Sequence, residues 1–393
     1  MTTKSKDTII DKPISILLSF YAMMLPFEEA LASTFGSVLR IIAIVIMVYI
    51  FVRYFNERFD LMLTKDLLPW FIYISISVLW ASSFEWWWYF GKIYYNQFIF
   101  LIIVSIVPAI KIDLKIVRHG FVAGAIIATT ILLLFAKNSF LTDDGRRTII
   151  IFGNTLDPNI LAALISIGVF CLFIDFFEHD DKKINKLPIL VLVYIFIGVL
   201  LTGSRGIVIA IVTSFFTGTF LQLKSSRKKG MKILFASIIV LAIAFSFIPE
   251  QLLQSRFSVQ NILGLDEVDS GSHNRYTIWS HTSSLFFASP LIGHGSGNFI
   301  ETLSTVYKPS ASHNIFILLL IEGGILGFSL FIAAVFALLK QLYRQKLYSY
   351  VTLYLFVIFT GMSLDAIAYK YFWLVWLFAT IKVRQCKKRG EQQ

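Results

Sequence analysis

The sequence predicts an all-α polytopic membrane protein of about 12 transmembrane helices, with one long extracytoplasmic loop carrying short helices. Three observations lead there. Of 393 residues, 57% are hydrophobic and only 15% charged, and the mean hydropathy is +0.74. Apolar runs long enough to cross roughly 30 Å of hydrocarbon follow one another along the chain. Lysine and arginine fall between those runs and alternate between dense and sparse connections, the asymmetry that fixes orientation in a membrane. The chain reads as a single integral membrane domain, 1–393, with the large loop at 249–312 within it.

In chain order the expected spans are 13–32, 36–53, 66–83, 93–110, 119–136, 159–177, 187–203, 205–222, 231–248, 313–339, 348–364 and 368–383. Placing the amino terminus inside puts most of the 35 Lys and Arg in cytoplasmic connections, around 4–12, 53–65, 111–118, 182–186, 224–232, 340–346 and 382–389. Both termini are then cytoplasmic. The net charge of +11 is therefore mostly topology, and a nucleic-acid partner is set aside. The basic residues left over are Arg40, Lys92, Lys137, Arg146, Arg147, Arg205, Arg256, Arg275, Lys308 and Lys370. They fall on or near the outer face, which points to an anion there. Cys171 lies within the sixth span and Cys386 in the tail, so no disulfide and no metal cluster is expected.

The first five spans carry little chemistry. Arg40, inside the second, is expected to snorkel or to pair with Glu28 or Glu29. Ala30-Leu31-Ala32 resembles a signal-peptidase site, but the acids before it fit a retained anchor better. Trp86, Trp87 and Trp88 read as an interfacial aromatic belt. The outer loop from Lys137 ends in Asp157-Pro158-Asn159, where proline at a helix start and an Asp or Asn cap account for the residues structurally. Arg147 and Asn159 are also candidates for ligand contact. Between the seventh and eighth spans the turn shrinks to Gly203-Ser204-Arg205-Gly206. That holds Arg205 at a helix start near the membrane surface, where a guanidinium fork and free amides suit a phosphate.

Ionisable residues concentrate after residue 272: Arg275, His273, His281, His294, Glu301, Lys308 and His313. Desolvating such groups is costly, so they are rarely placed at a bundle mouth without a ligand or partner. Gly293-His294-Gly295-Ser296-Gly297 superficially evokes a phosphate-cradling loop, yet no strand precedes it. His313 opens the tenth span. Glu322 lies on roughly the opposite face of that helix at about 100° per residue, and is expected to brace another helix, meeting an arginine. Gly323 and Gly327 form a small-xxx-small pair for close packing.

Four stretches, SRG at 204–206, NRYTIW at 274–279, PLIGHG at 290–295 and SHNIFILLLIEGGILG at 312–327, occur in that order after DPN at 157–159. Together they resemble the O-antigen ligase and polymerase family, bacterial enzymes of Wzy and WaaL type. The resemblance covers roughly residues 140–335 and implies a metal-independent glycosyltransferase in the bacterial cytoplasmic membrane, acting at its outer face without a cofactor. The implied donor is a glycan on undecaprenyl diphosphate. The implied acceptor is a glycan or a lipid A core, with membrane lipids around the enzyme and a chain-length regulator protein as a further partner. By motif, Arg205 and Arg275 bind the diphosphate and His313 is the base; Arg147, Asn159 and Glu322 join them as substrate-binding candidates. Guanidiniums stabilise the charge that builds on the leaving diphosphate. The histidine takes the acceptor hydroxyl's proton, and attack opposite the leaving group inverts the anomeric centre. The leading expectation is a polymerase of lipid-linked repeat units into O-antigen, capsule or exopolysaccharide. The alternative is a ligase passing a finished glycan to lipid A core or protein, and the rival from another class is a lipid-linked oligosaccharide flippase.

Overall fold

The computed structural model describes residues 10–56, 65–134, 146–151, 154–178, 186–228 and 275–390, with scattered positions between 230 and 250. Only scattered positions of the expected ninth span are described, and residues 251–274 of the long loop, Arg256 and His273 among them, and Lys137 lie outside the described residues.

Helices dominate, and local chemistry sets their starts. Asp11 accepts from the Ile14 amide to open α1 (Lys12–Met24), with proline in its first turn. A 3-10 turn at Leu25–Phe27, carrying Pro26, offsets α2 (Glu28–Phe35) from it. The first expected span is thus broken near its carboxy-terminal end. Ser37 caps α3 (Val38–Tyr54), and α4 (Leu68–Ile76) runs into a 3-10 turn at Ser77–Leu79. Ser83 caps α5 (Phe84–Ile106), which begins well before the expected residue 93. The tryptophan triplet therefore sits in its first turns, and Trp87 turns inward to donate to the Ile74 carbonyl at 3.0 Å. α6 (Leu114–Leu134) is followed by a short antiparallel hairpin, β1 (Ile150–Ile151) and β2 (Asn154–Thr155), that the helical reading did not anticipate. Next come α7 (Pro158–Glu178), α8 (Lys186–Leu201), α9 (Arg205–Ser225), α10 (Arg275–Ala288), α11 (Phe299–Ser304), α12 (Ile315–Arg344), α13 (Tyr348–Thr360) and α14 (Lys370–Gly390).

Among the described residues, six helices are long and apolar enough to cross a membrane, at Lys12–Ala32, Phe84–Ile106, Leu114–Leu134, Pro158–Asp175, Arg205–Lys224 and Ile315–Arg344. Shorter apolar helices accompany them at Leu68–Leu79, Leu187–Leu201 and Tyr348–Thr360. The chain is a helical multi-pass membrane protein. α7 is its axis, 83% buried over its apolar window, and packs on α6, α8 and α13. A second core of packed aromatics, Trp70, Phe331, Trp373 and Trp376, ties α4, α12 and α14 together.

The two ends differ. At one end, the mouth, gather the hairpin, the starts of α7, α9, α10, α12 and α14, and the end of α13. At the other, Arg118 is 3% exposed and bridges Asp175 at 2.6 Å and Glu178 at 2.9 Å, while Lys382 joins Glu178.

α12 departs most from expectation. Its helix breaks at Gly324, whose φ of 57° lies in the left-handed region. Residues 290–297 fill the break: the His294 amide donates to Ile321 O, Gly295 to Glu322 O, Ile325 to Pro290 O and Leu326 to Leu291 O. Tyr73 Oη lies within hydrogen-bond distance of both Ile292 O and Gly323 O.

Candidate functional site

Each of the quoted stretches builds one corner of the mouth. In Asp157-Pro158-Asn159, Asp157 Oδ1 accepts from the amides of Asn159 at 2.6 Å and Ile160 at 3.3 Å, capping α7. Asn159 then turns its own Oδ1 sideways, where Ser204 Oγ donates at 2.8 Å and Arg146 at 2.7 Å. Ser204 holds the N-cap position of α9, yet its side chain bonds no first-turn amide because it is committed to Asn159. Arg205 follows at once. Gly206 lets α9 approach the segment between α13 and α14, since a Cβ there would stand 2.7 Å from Ser363 Cβ.

α10 starts at Arg275 and carries Trp279 one turn on, on the same helical face. Trp279 Nε1 donates to Ser312 O at 3.0 Å, which fixes Arg275 beside the start of α12. Ser312 Oγ hydrogen-bonds the Asp365 carboxylate, and Asn314 caps α12 by accepting from the Phe316 amide at 2.9 Å and the Ile317 amide at 3.3 Å. His313, between them, is held at φ 50°, a conformation uncommon outside glycine. The capping role therefore belongs to Asn314, and the histidine's ring lies in the field of Asp365.

Electrostatics tie these corners into one cluster. Arg275 is in reach of Asp157, Arg146, Arg205 and Asp365; Arg146 is in reach of Asp157 and Arg205. Burial pulls the Arg275 and Arg146 guanidiniums below their ordinary value, while Asp157 pulls the other way. Burial pushes the Asp365 carboxyl up, opposed by the Ser312 hydroxyl and His313. Three guanidiniums, two carboxylates and an imidazole are thus linked, each within electrostatic reach of at least one other, near the starts of α7, α9, α10 and α12.

The structure brings together Arg205, Arg275, His313 and Asn159 from the sequence reading. It does not bring Arg147 with them. Arg147 is strapped to the neighbouring wall, its amide on Leu201 O at 3.0 Å and its side chain on Leu132 O at 3.4 Å. Arg146 takes the inward place, held by Thr202 O at 2.9 Å and by Asn159. Adjacent residues of an extended chain point to opposite sides, and the Arg147 amide on Leu201 O fixes which of the two turns inward.

Glu322 is a brace, as expected, but for backbone and not for an arginine. It accepts from the Phe299 amide at 3.2 Å and from the Gly297 backbone, which fastens the glycine turn to α12. The amides of that turn are consumed by α12 carbonyls and Ser77, so it cradles no phosphate. Gly327 packs on Tyr73. Arg40 pairs with neither acid: Glu28 bonds Lys370, Ser37 and the Leu39 amide instead. His281 stacks on Tyr307 and His294 bonds Leu285 O, so both are structural.

Asp365 is the residue that sequence reasoning missed. A lone acid between two apolar runs, with no topogenic reason to be there, was the available signal. Among the described residues no group of three His, Cys, Asp or Glu side chains is placed to hold a metal ion.

Residues 190–332 match the family model described as O-antigen ligase (Wzy_C), a match that supports assignment to the O-antigen ligase and polymerase family. Arg205, Arg275 and His313 lie inside the matched stretch; Arg146, Asp157, Asn159 and Asp365 lie outside it. No curated protein matches the chain.

Proposed function

We propose that the protein is a membrane glycosyltransferase that polymerises undecaprenyl-diphosphate-linked oligosaccharide units at the outer face of the bacterial cytoplasmic membrane, with inversion and without a metal. The observation that carries this reading is the convergence of Arg146, Arg205 and Arg275 beside His313 at the bundle mouth. A leaving lipid diphosphate gains negative charge as the glycosidic bond breaks. Fixed guanidiniums, at a helix start whose dipole also favours an anion, meet that charge without reorganising. His313 takes the proton from the acceptor hydroxyl as the new bond forms, and Asp365 supports the resulting imidazolium. Asn159 holds Arg146 in place by its amide oxygen.

A transporter would favour discontinuous helices whose open backbone meets substrate near the midplane. The one break in α12 is filled by the chain's own residues 290–297, which favours the enzyme over the flippase. The family description, O-antigen ligase, favours the alternative in which a finished glycan passes to a lipid A core or protein. Reconstitution with a defined undecaprenyl-diphosphate-linked repeat separates the two. A ladder of lengths supports polymerisation, transfer only to added lipid A core supports ligation, and no product from substrate supplied outside overturns both. Activity is expected to survive chelation; loss in EDTA with recovery on adding magnesium would overturn the arginine account.

A further inference from the structure

A cavity of about 710 Å³ opens between α2, α3, α5 and the start of α14, apart from the arginine cluster but touching its edge. Leu156, Ile160 and Tyr369 line it, Glu29 lies within electrostatic reach of Asp157, and Tyr369 within reach of both Asp157 and Asp365. It also runs inward, because Asn96 and Gln97 on its wall stand about 18 Å along α5 from the mouth. Its volume lies in the range of small-molecule pockets, roughly 300–1,000 Å³.

Three polar side chains on that wall make no hydrogen bond among the described residues. Among the described residues, the amides of Asn96 and Gln97 make no hydrogen bond, although Gln97 is 6% exposed. The Glu29 carboxylate makes no hydrogen bond or salt bridge, since Lys370 pairs with Glu28. Gln97 is buried, where polar groups are nearly always satisfied, whereas Asn96 and Glu29 are exposed on the cavity wall; together they offer a ligand rich in donors and acceptors one amide that needs a partner and two more groups to bond. The charge balance says which. Glu28 and Glu29 offset Arg40 and Lys370 here, whereas the neighbouring cluster sets three arginines against two aspartates. A diphosphate belongs with the arginines. A neutral polyhydroxyl ligand fits the amides, the carboxylate and the ring faces of Tyr89, Phe90 and Tyr369.

We propose that this cavity binds the acceptor saccharide, with Glu29, Asn96 and Gln97 hydrogen-bonding its hydroxyls while the donor's diphosphate occupies the arginine cluster. The assignment rests on the glycosyl-transfer reading above. It places the two substrates on either side of Asp157 and Tyr369, close enough for one hydroxyl to reach the donor.

The test titrates the full chain in nanodiscs with two probes. One is undecaprenyl diphosphate; the other is the reducing oligosaccharide released by mild acid from the lipid-linked repeats of the producing cell. Ala43→Trp, which fills the cavity, is expected to abolish oligosaccharide binding, and Glu29→Gln to weaken it about tenfold through loss of a charge-assisted bond. Both leave undecaprenyl diphosphate binding unchanged, and Arg275→Ala does the reverse. Should Ala43→Trp not fold, the isosteric Glu29→Gln decides alone. The proposal is overturned if the oligosaccharide does not bind wild type, or binds Glu29→Gln as well as wild type. It is equally overturned if folded Ala43→Trp loses undecaprenyl diphosphate instead, which would make the cavity a channel for the donor's lipid. Failure of the transfer reading looks different: both probes bind as expected, but wild type forms no product from a lipid-linked donor.

Discussion

Arg146 and Arg147 are chemically identical neighbours, yet one faces the cluster and the other is tied to Leu132 and Leu201. Charge-preserving exchanges should tell them apart. Arg146→Lys, Arg205→Lys and Arg275→Lys each lose the planar fork, and charge-assisted bonds are worth about 1.5–3 kcal/mol, so donor affinity should fall about 10- to 100-fold. Arg147→Lys should stay near wild type in the same binding assay. His313→Asn separates mechanism from scaffold. Asparagine tolerates positive φ better than most residues and Asn314 already caps α12, so the fold should persist. Turnover should drop about 10²- to 10⁴-fold at unchanged donor affinity if the imidazole is the base; near-normal turnover would move that role elsewhere, with Glu301 the first to examine. Asp365 carries a signed pH prediction. Its folded value is raised, so the folded state holds the proton more tightly than the unfolded one. The stability it contributes is complete below about pH 4 and is lost as pH rises through the folded value. Asp365→Asn keeps an oxygen for Ser312 and the Asn314 amide but removes the buried charge. Melting temperature should therefore rise at neutral pH and change little at about pH 4, while transfer falls at least about tenfold for want of the charge facing His313. Thermal melts at the two pH values and one transfer assay check both halves.

At the scale of elements, the break in α12 is the feature that shapes the mouth. Two consecutive helical stretches are joined by a left-handed glycine, and a second segment of chain supplies the missing hydrogen bonds. A Cβ at Gly324 would stand 2.4 Å from the Leu291 carbonyl carbon as well as adopting strained backbone. Gly324→Ala is expected to cost about 1–3 kcal/mol or more, read as a fall in melting temperature. Because residues 290–297 lead directly into α11 and then to Ser312, donor binding should weaken with it. The SHN stretch shows how an element start becomes a site: the serine ties to Asp365, the asparagine caps, and the histidine between them lies in the field of Asp365.

Across the whole molecule, the end opposite the mouth is held by charge. Arg118 is buried among Asp175, Glu178 and Tyr350 and joins α6, α7, α13 and α14. Removing one partner of a buried pair leaves the other uncompensated, so Arg118→Ala should destabilise the bundle by about 3–5 kcal/mol without altering donor affinity in whatever protein still folds. A melt in detergent and a lipid-diphosphate titration measure the two effects separately.

What the sequence by itself determined was everything that depends on local composition and order. Apolar run lengths gave an all-helical membrane protein, and among the described residues six helices are long and apolar enough to cross a membrane, with shorter apolar ones beside them. Costly placement of Arg205, Arg275 and His313 among apolar runs singled them out before any contact was known. Only the tertiary structure decided the rest. Which of two adjacent arginines points inward depends on bonds to distant residues, Arg147 to Leu201 and Leu132 and Arg146 to Thr202 and Asn159, which leave no periodic signal. That Asp365 meets His313 depends on α13 and α14 packing beside α12, a contact between residues far apart in the chain. The kink at Gly324 is permitted by the Gly323-Gly324 pair but completed by a loop bonding into the helix, which the sequence does not reveal. Hydropathy measures what a segment does against lipid, and it carries no information on which distant backbone will complete its hydrogen bonds.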